Sequence, residues 1–142
     1  MMQIFLDTSA YSAFLRGHHE IKQRIQRAET MWINPIVLGE LRAGFIRGRQ
    51  RQKNEDLLTQ FLSSPRVHLA PVDEETAERY AVILNQLWRA GSPIPTNDLW
   101  IAASVMQYGL ILLTTDAHFL KVSQIIVRHF SPSSTREHKT EE

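Results

Sequence analysis

The chain contains no cysteine. Disulfide frameworks and thiolate metal centres are therefore excluded, which fits a reducing cytoplasm as the expected location. Long apolar runs are also missing, so nothing in the sequence reads as a membrane span. The opening stretch Met1 to Asp7 is too short, and too acidic at its end, for a signal peptide. An excess of one charge is lacking as well: sixteen lysines and arginines face fifteen acids, for a net charge of +1. Bulk attraction to a polyanion is thereby ruled out, and any such contact has to come from a local patch. No internal repeat or linker divides the chain. Aspartate is scarce, with only five residues, and that scarcity makes their placement informative.

At 142 residues, with 43% apolar residues, the chain is long enough to bury a core as a single domain. Residues 1–130 are expected to form that domain. Residues 131–142, rich in Ser, Thr, Lys and Glu, read as a polar tail. Apolar runs at Met2–Leu6, Met31–Asn34, Val67–Val72, Leu110–Leu113 and Ile125–His129 read as strands. Between them lie helical patterns at Ala10–Leu15, Ile21–Glu29, Ile36–Phe45, Glu55–Leu62, a stretch from Asp73 to about Arg89, and one from Thr96 to about Tyr108. Such alternation predicts an α/β domain with a mainly parallel sheet.

Two aspartates have ordinary explanations. Asp73 caps a helix, and Asp56 lies in a charged, solvated segment. The other three stand elsewhere. Asp7 and Asp116 each follow an apolar strand at its carboxyl end, where open parallel sheets build their sites. Asp98 falls in the first turn of a helix that Pro93 and Pro95 lead into and Thr96 is expected to cap. Ile101, Ala102 and Val105 share its face, so the carboxylate sits at the rim of a core. Glu40 likewise interrupts a helical face of apolar and small residues. Taken singly, each acid could be a cap, a turn residue or a snorkelling side chain. Together, four carboxylates converging without a lysine or arginine would repel one another and raise each other's pKa. Hard divalent cations such as Mg²⁺ or Mn²⁺ resolve that conflict.

The segments Leu6-Asp7-Thr8-Ser9, Leu38-Gly39-Glu40-Leu41, Asn97-Asp98-Leu99-Trp100-Ile101-Ala102-Ala103 and Thr114-Thr115-Asp116-Ala117-His118-Phe119 resemble, in order and spacing, the motifs of PIN-domain nucleases. The resemblance is closest to the VapC toxins of toxin–antitoxin pairs and covers Met2 to Phe130. It implies a three-layer α/β/α sandwich with a central, mainly parallel sheet. It also implies Mg²⁺- or Mn²⁺-dependent endoribonuclease activity on an RNA substrate, a homodimer, and inhibition by a small antitoxin protein. Position by position, Asp7, Glu40, Asp98 and Asp116 match the family's acidic quartet, and Thr114 its supporting hydroxyl. The competing reading is a non-catalytic RNA- or protein-binding module on the same fold. A binder gains nothing from four repelling carboxylates. An aspartyl-phosphate phosphatase would show Asp-x-Asp at the first strand, where Asp7 is instead followed by Thr8 and Ser9.

Other residues carry weaker signals. Arg42, Arg47, Arg49, Arg51 and Lys53 form the single basic cluster, suited to RNA phosphates, to an acidic antitoxin segment, or to nothing more than a solvated loop. His118 reads as a contact within its turn, since chemistry by a metal-held water does not require it. Trp100 faces away from Asp98 and is expected in core or dimer packing. Asn97 reads as a helix N-terminal residue able to steady a ligand.

Overall fold

The structure, a computed structural model, describes residues 2–133. The apolar runs become strands β1 (Gln3–Leu6), β2 (Thr30–Ile33), β3 (Val67–Leu69), β4 (Ile111–Thr114) and β5 (Ile126–His129). They form one sheet in the order β3-β2-β1-β4-β5, and every neighbouring pair is parallel. Parallel neighbours need long crossovers, and helices supply them. α1 (Thr8–Leu15) and α2 (His19–Arg27) join β1 to β2. α3 (Pro35–Arg47) and α4 (Arg51–Ser63) join β2 to β3. α5 (Glu74–Arg89) and α6 (Thr96–Tyr108) carry the chain back across the sheet to β4. The outcome is the α/β/α sandwich that the resemblance implies.

The sheet grows outward from β1 in one direction through β2 and β3, then in the other through β4 and β5. The carboxyl ends of β1 and β4 therefore flank the point where the strand order reverses, the place where such sheets leave a crevice. Both strands are central. Ile4, Phe5 and Leu6 on β1, and Leu112 and Leu113 on β4, are fully buried, which is why these runs are continuous rather than alternating. The edge strands β3 and β5 are short and half exposed, a common way to blunt an edge.

α6 is buried on most of its circumference, through Leu99, Ile101, Ala102, Ala103, Ser104 and Val105. Its small residues let it lie close to its neighbours. Trp100 stacks on Tyr80 of α5 with ring centroids 4.2 Å apart, the packing role expected of it. Gly109 closes α6 at φ 63°, a left-handed cap that lets the Leu110 N–H return to the Val105 carbonyl.

Several boundaries differ from the sequence reading. α4 begins at Arg51, a turn before its apolar stripe, so Arg51 and Lys53 are helical and only Gly48–Gln50 form the connection. Arg, Gln and Lys are good helix formers, but they leave no apolar period to read. β3 stops at Leu69. Ala70 still donates to the Ile33 carbonyl, and Pro71 then has no N–H to offer. The first helix starts at Thr8, two residues before the apolar pattern at Ala10, with Asp7 as its cap. α6 starts with Thr96 as its first residue, behind Pro95 and without a side-chain cap. Of the tail, residues 134–142 lie outside the described residues.

One buried polar bridge fixes α3 against α6. Asn34 is wholly buried, caps α3 by accepting the Val37 N–H at 3.0 Å, and donates its amide to the Ser104 hydroxyl at 2.9 Å. Asn34→Ala removes the cap and leaves two buried polar groups unpaired. Urea unfolding should show a loss of roughly 2–3 kcal/mol, and a loss below ~0.5 kcal/mol, within the range of ordinary surface changes, would mean the bridge does not hold these helices.

Candidate active site

Asp7 follows β1 directly and starts α1, so its carboxylate is fixed at the strand-to-helix corner. Oδ1 accepts the Ala10 N–H at 2.8 Å and the Ser9 hydroxyl at 2.7 Å. Oδ2 accepts the Thr114 hydroxyl at 2.6 Å. β4 lies in register beside β1, with Leu6 opposite Leu113, and this brings Thr114 to Asp7. The side chain is 3% exposed. Burial drives its pKa up to about 6. The three hydrogen bonds pull against that rise, and the nearby Asp98 charge adds to it.

Ser9 and Thr114 form the scaffold around this acid. The Ser9 hydroxyl also accepts the Thr115 N–H at 3.0 Å and lies 3.3 Å from the Thr114 hydroxyl. Thr114 is fully buried, and its oxygen accepts the Asp116 N–H at 2.9 Å. One hydroxyl thus orients both Asp7 and the backbone that carries Asp116.

Glu40 projects from α3. Its Oε1 accepts the Thr8 hydroxyl at 2.5 Å, and its Oε2 accepts the Asn97 amide at 3.1 Å. Thr8 follows Asp7 and Asn97 precedes Asp98, so the two donors tie Glu40 to the elements bearing both aspartates. Asn97 thus has the steadying contact that its position suggested.

Asp98 stands in the first turn of α6. Its pKa is raised, first by burial and then by the Asp116 charge. His118 lowers it, and Glu40 raises it further. Asp116 caps the short 3-10 helix Ala117–Lys121, its Oδ1 accepting the His118 N–H at 2.9 Å. The His118 imidazole turns back between the two acids. Nδ1 is 3.0 Å from Asp116 Oδ1 and 3.3 Å from Asp98 Oδ2. Among the described residues, the ion pairs made by the four acids are these two with His118. Among the described residues no lysine or arginine pairs with the cluster.

The structure therefore brings Asp7, Glu40, Asp98, Asp116 and Thr114 together at the carboxyl edge of β1 and β4. Burial and like charge act on Asp7 and Asp98 as a cation would relieve. The donor set, all carboxylate oxygens with one imidazole, fits a divalent metal ion. Sequence reasoning did not single out Thr8 and Ser9 as partners of the acids. Their only signal was adjacency to Asp7. The basic residues are not part of the cluster: Arg42 pairs with Glu55 at 3.4 Å on the surface.

Among the described residues, no helix is long and apolar enough to cross a membrane.

Comparison with known proteins bears on the family and the fold. Ribonuclease VapC of Rickettsia bellii is 33% identical over 122 residues, spanning 84% of this chain and 90% of the relative. Ribonuclease VapC1 of Rickettsia felis is 32% identical over the same length. In fold, the chain is similar to the crystal structure of VapBC2 from Rickettsia felis bound to a promoter DNA fragment. There the TM-score is 0.80 at 23% identity, with 92% of this chain and 100% of the other covered. Residues 4–125 match the PIN domain, and with that match spanning most of its length the chain belongs to the PIN domain family.

Proposed function

We propose that this protein is a divalent-metal-dependent endoribonuclease, the toxin of a toxin–antitoxin pair, acting in the cytoplasm. The single observation that carries the reading is the convergence of Asp7, Glu40, Asp98 and Asp116 from four separate elements on one crevice, with no lysine or arginine among the described residues paired to them. Relatives named Ribonuclease VapC support the activity. Structures of VapBC pairs support an antitoxin partner. A homodimer belongs to the same reading, and Leu84 and Trp88, one turn apart and exposed on α5, suit it.

Asp7, Asp98, Asp116 and Glu40 would hold Mg²⁺ or Mn²⁺. When bound, the ion supplies an activated water and offsets charge on the phosphate under attack. The protein's own part is positioning. Ser9, Thr114 and the Ala10 N–H hold Asp7 so that its lone pairs point in one fixed direction. Thr8 and Asn97 do the same for Glu40. A groove lined by Pro35, Ile36, Gly39, Glu40, Ala43 and Asn97 leads up to the acids and offers a path for the RNA strand. Gly39 and Ala43 keep it open.

Replacing Asp98 by Asn removes a charge and a ligand while keeping the shape. RNA cleavage in Mg²⁺ should fall by more than ~100-fold, with EDTA abolishing the wild-type activity. Retained cleavage by the variant would overturn the assignment, and RNA binding without any cleavage would favour the binding module.

The groove reading is tested at Gly39. An added Cβ there meets nothing within 4 Å. Gly39→Trp should therefore raise KM by roughly 10-fold, the cost of about 1.4 kcal/mol of lost strand binding, without lowering the melting temperature. An unchanged KM would place the RNA elsewhere.

The raised pKa of Asp7 sets a pH dependence in the metal-free protein. Between pH 4 and 6 the folded chain keeps a proton that the unfolded chain has released, so stability falls as pH rises through this window. Full ionisation costs about 3 kcal/mol by pH 7. Asp7→Asn keeps a good N-cap and cannot ionise. In EDTA its melting temperature should overtake that of the wild type as pH rises from 4 to 7. Parallel curves would show that Asp7 is not held in this strained state.

A further inference from the structure

We propose that His118 is itself a ligand to the divalent ion, and that its imidazole biases the site toward manganese or another transition ion over magnesium. The inference rests on the metal-dependent reading above and adds a nitrogen donor to a site otherwise made of oxygens.

The geometry starts at the backbone. Asp116 caps the 3-10 helix and accepts the His118 N–H, so the imidazole is anchored to the same carboxylate with which it would share an ion. Nδ1 then lies 3.0 Å from Asp116 Oδ1 and 3.3 Å from Asp98 Oδ2, and the donor atoms of the three residues lie within 4.8 Å of one another. In an octahedral shell with bonds of about 2.1 Å, adjacent ligands are about 3.0 Å apart and opposite ones about 4.2 Å. Nδ1 already stands at the separation of adjacent ligands from both carboxylate oxygens. An ion held between these donors would take the place of the contacts that Nδ1 now makes.

The other two acids are more tightly engaged. Asp7 accepts three hydrogen bonds on its two oxygens, and both Glu40 oxygens are taken by Thr8 and Asn97. Asp116 and His118 face solvent, their side chains 36% and 46% exposed, while Asp98 behind them is 14% exposed. A first ion would meet this side. Magnesium keeps to oxygen ligands and water, whereas manganese, though also suited to carboxylates, accepts an imidazole nitrogen more readily, and later transition ions more so. A quartet of carboxylates has no such preference by ligand type; a carboxylate pair with one imidazole does.

The test uses the full chain with MnCl₂ or MgCl₂ as the only added ion. Calorimetry gives the affinity for each, and pulsed electron paramagnetic resonance of bound Mn²⁺ reports directly coupled nitrogen. The wild type should show nitrogen coupling that disappears in His118→Gln. That variant should bind Mn²⁺ at least ~10-fold more weakly and lose less than ~3-fold for Mg²⁺. Circular dichroism checks that it folds. Absence of nitrogen coupling in the wild type, its persistence in His118→Gln, or equal weakening for both ions would overturn the proposal. Asp98→Asn separates the two levels: it should weaken both ions, and if it weakens neither, the metal-site reading fails rather than the role of His118.

Discussion

A carboxylate buried at the switch point of a parallel sheet is the constraint on which the rest of this structure depends. Asp7 could not remain there unpaired, because burying a charge without hydrogen bonds is prohibitive. Its partners come from two places at once: the Ala10 N–H and Ser9 hydroxyl in the first turn of α1, and Thr114 on the neighbouring strand. The last is available only because β1 and β4 are parallel and in register. The sheet topology and the ionisable group are therefore coupled. A one-residue slip of β4 would turn Thr114 to the opposite face of the sheet.

Around that fixed acid the chain assembles the others from elements that pack for ordinary reasons. α6 sits deep against α5 because its residues are small or apolar. Asn34 and Ser104 hold α3 to it. These contacts are neutral and would stabilise any sandwich of this kind. Their consequence is that Glu40 and Asp98 cannot move away from Asp7 and Asp116. Packing energy supports an arrangement that electrostatics opposes, the usual relation between a core and a strained functional site. Ser9, Thr8, Asn97 and His118 lessen the repulsion by hydrogen bonding without removing it.

Much of this was legible in the residues. Continuous apolar runs such as Ile111–Leu113 mark central strands, since both of their faces are covered. Pro35 marks the start of α3 and Gly109 the end of α6, whereas Asn34, read as the end of a strand, is the cap of α3. The acids were legible because aspartate is rare and three of the five lie where neither solvent nor capping alone accounts for them. Less legible were boundaries set by polar residues. The first turn of α4 has no apolar period, and the capping role at α1 falls to Asp7, which a sequence reading assigns to the site and not to the helix. It serves both, because a residue at a strand-to-helix corner faces the crevice and the free N–H groups together.

The sequence by itself determined the alternation of strand and helix, the parallel character of the sheet and the identity of the four acids. These follow from local periodicity and from the chemistry of single side chains. Only the tertiary structure decided which polar groups meet. Thr8 reaches Glu40 across 32 residues, Asn97 reaches it across 57, and Ser9 approaches Thr114 across 105. The strand order β3-β2-β1-β4-β5 and the place of His118 between Asp98 and Asp116 were decided at the same level. The physical reason is range. Periodicity and capping act within a few residues, whereas hydrogen-bond partners in a folded chain are set by how distant elements pack.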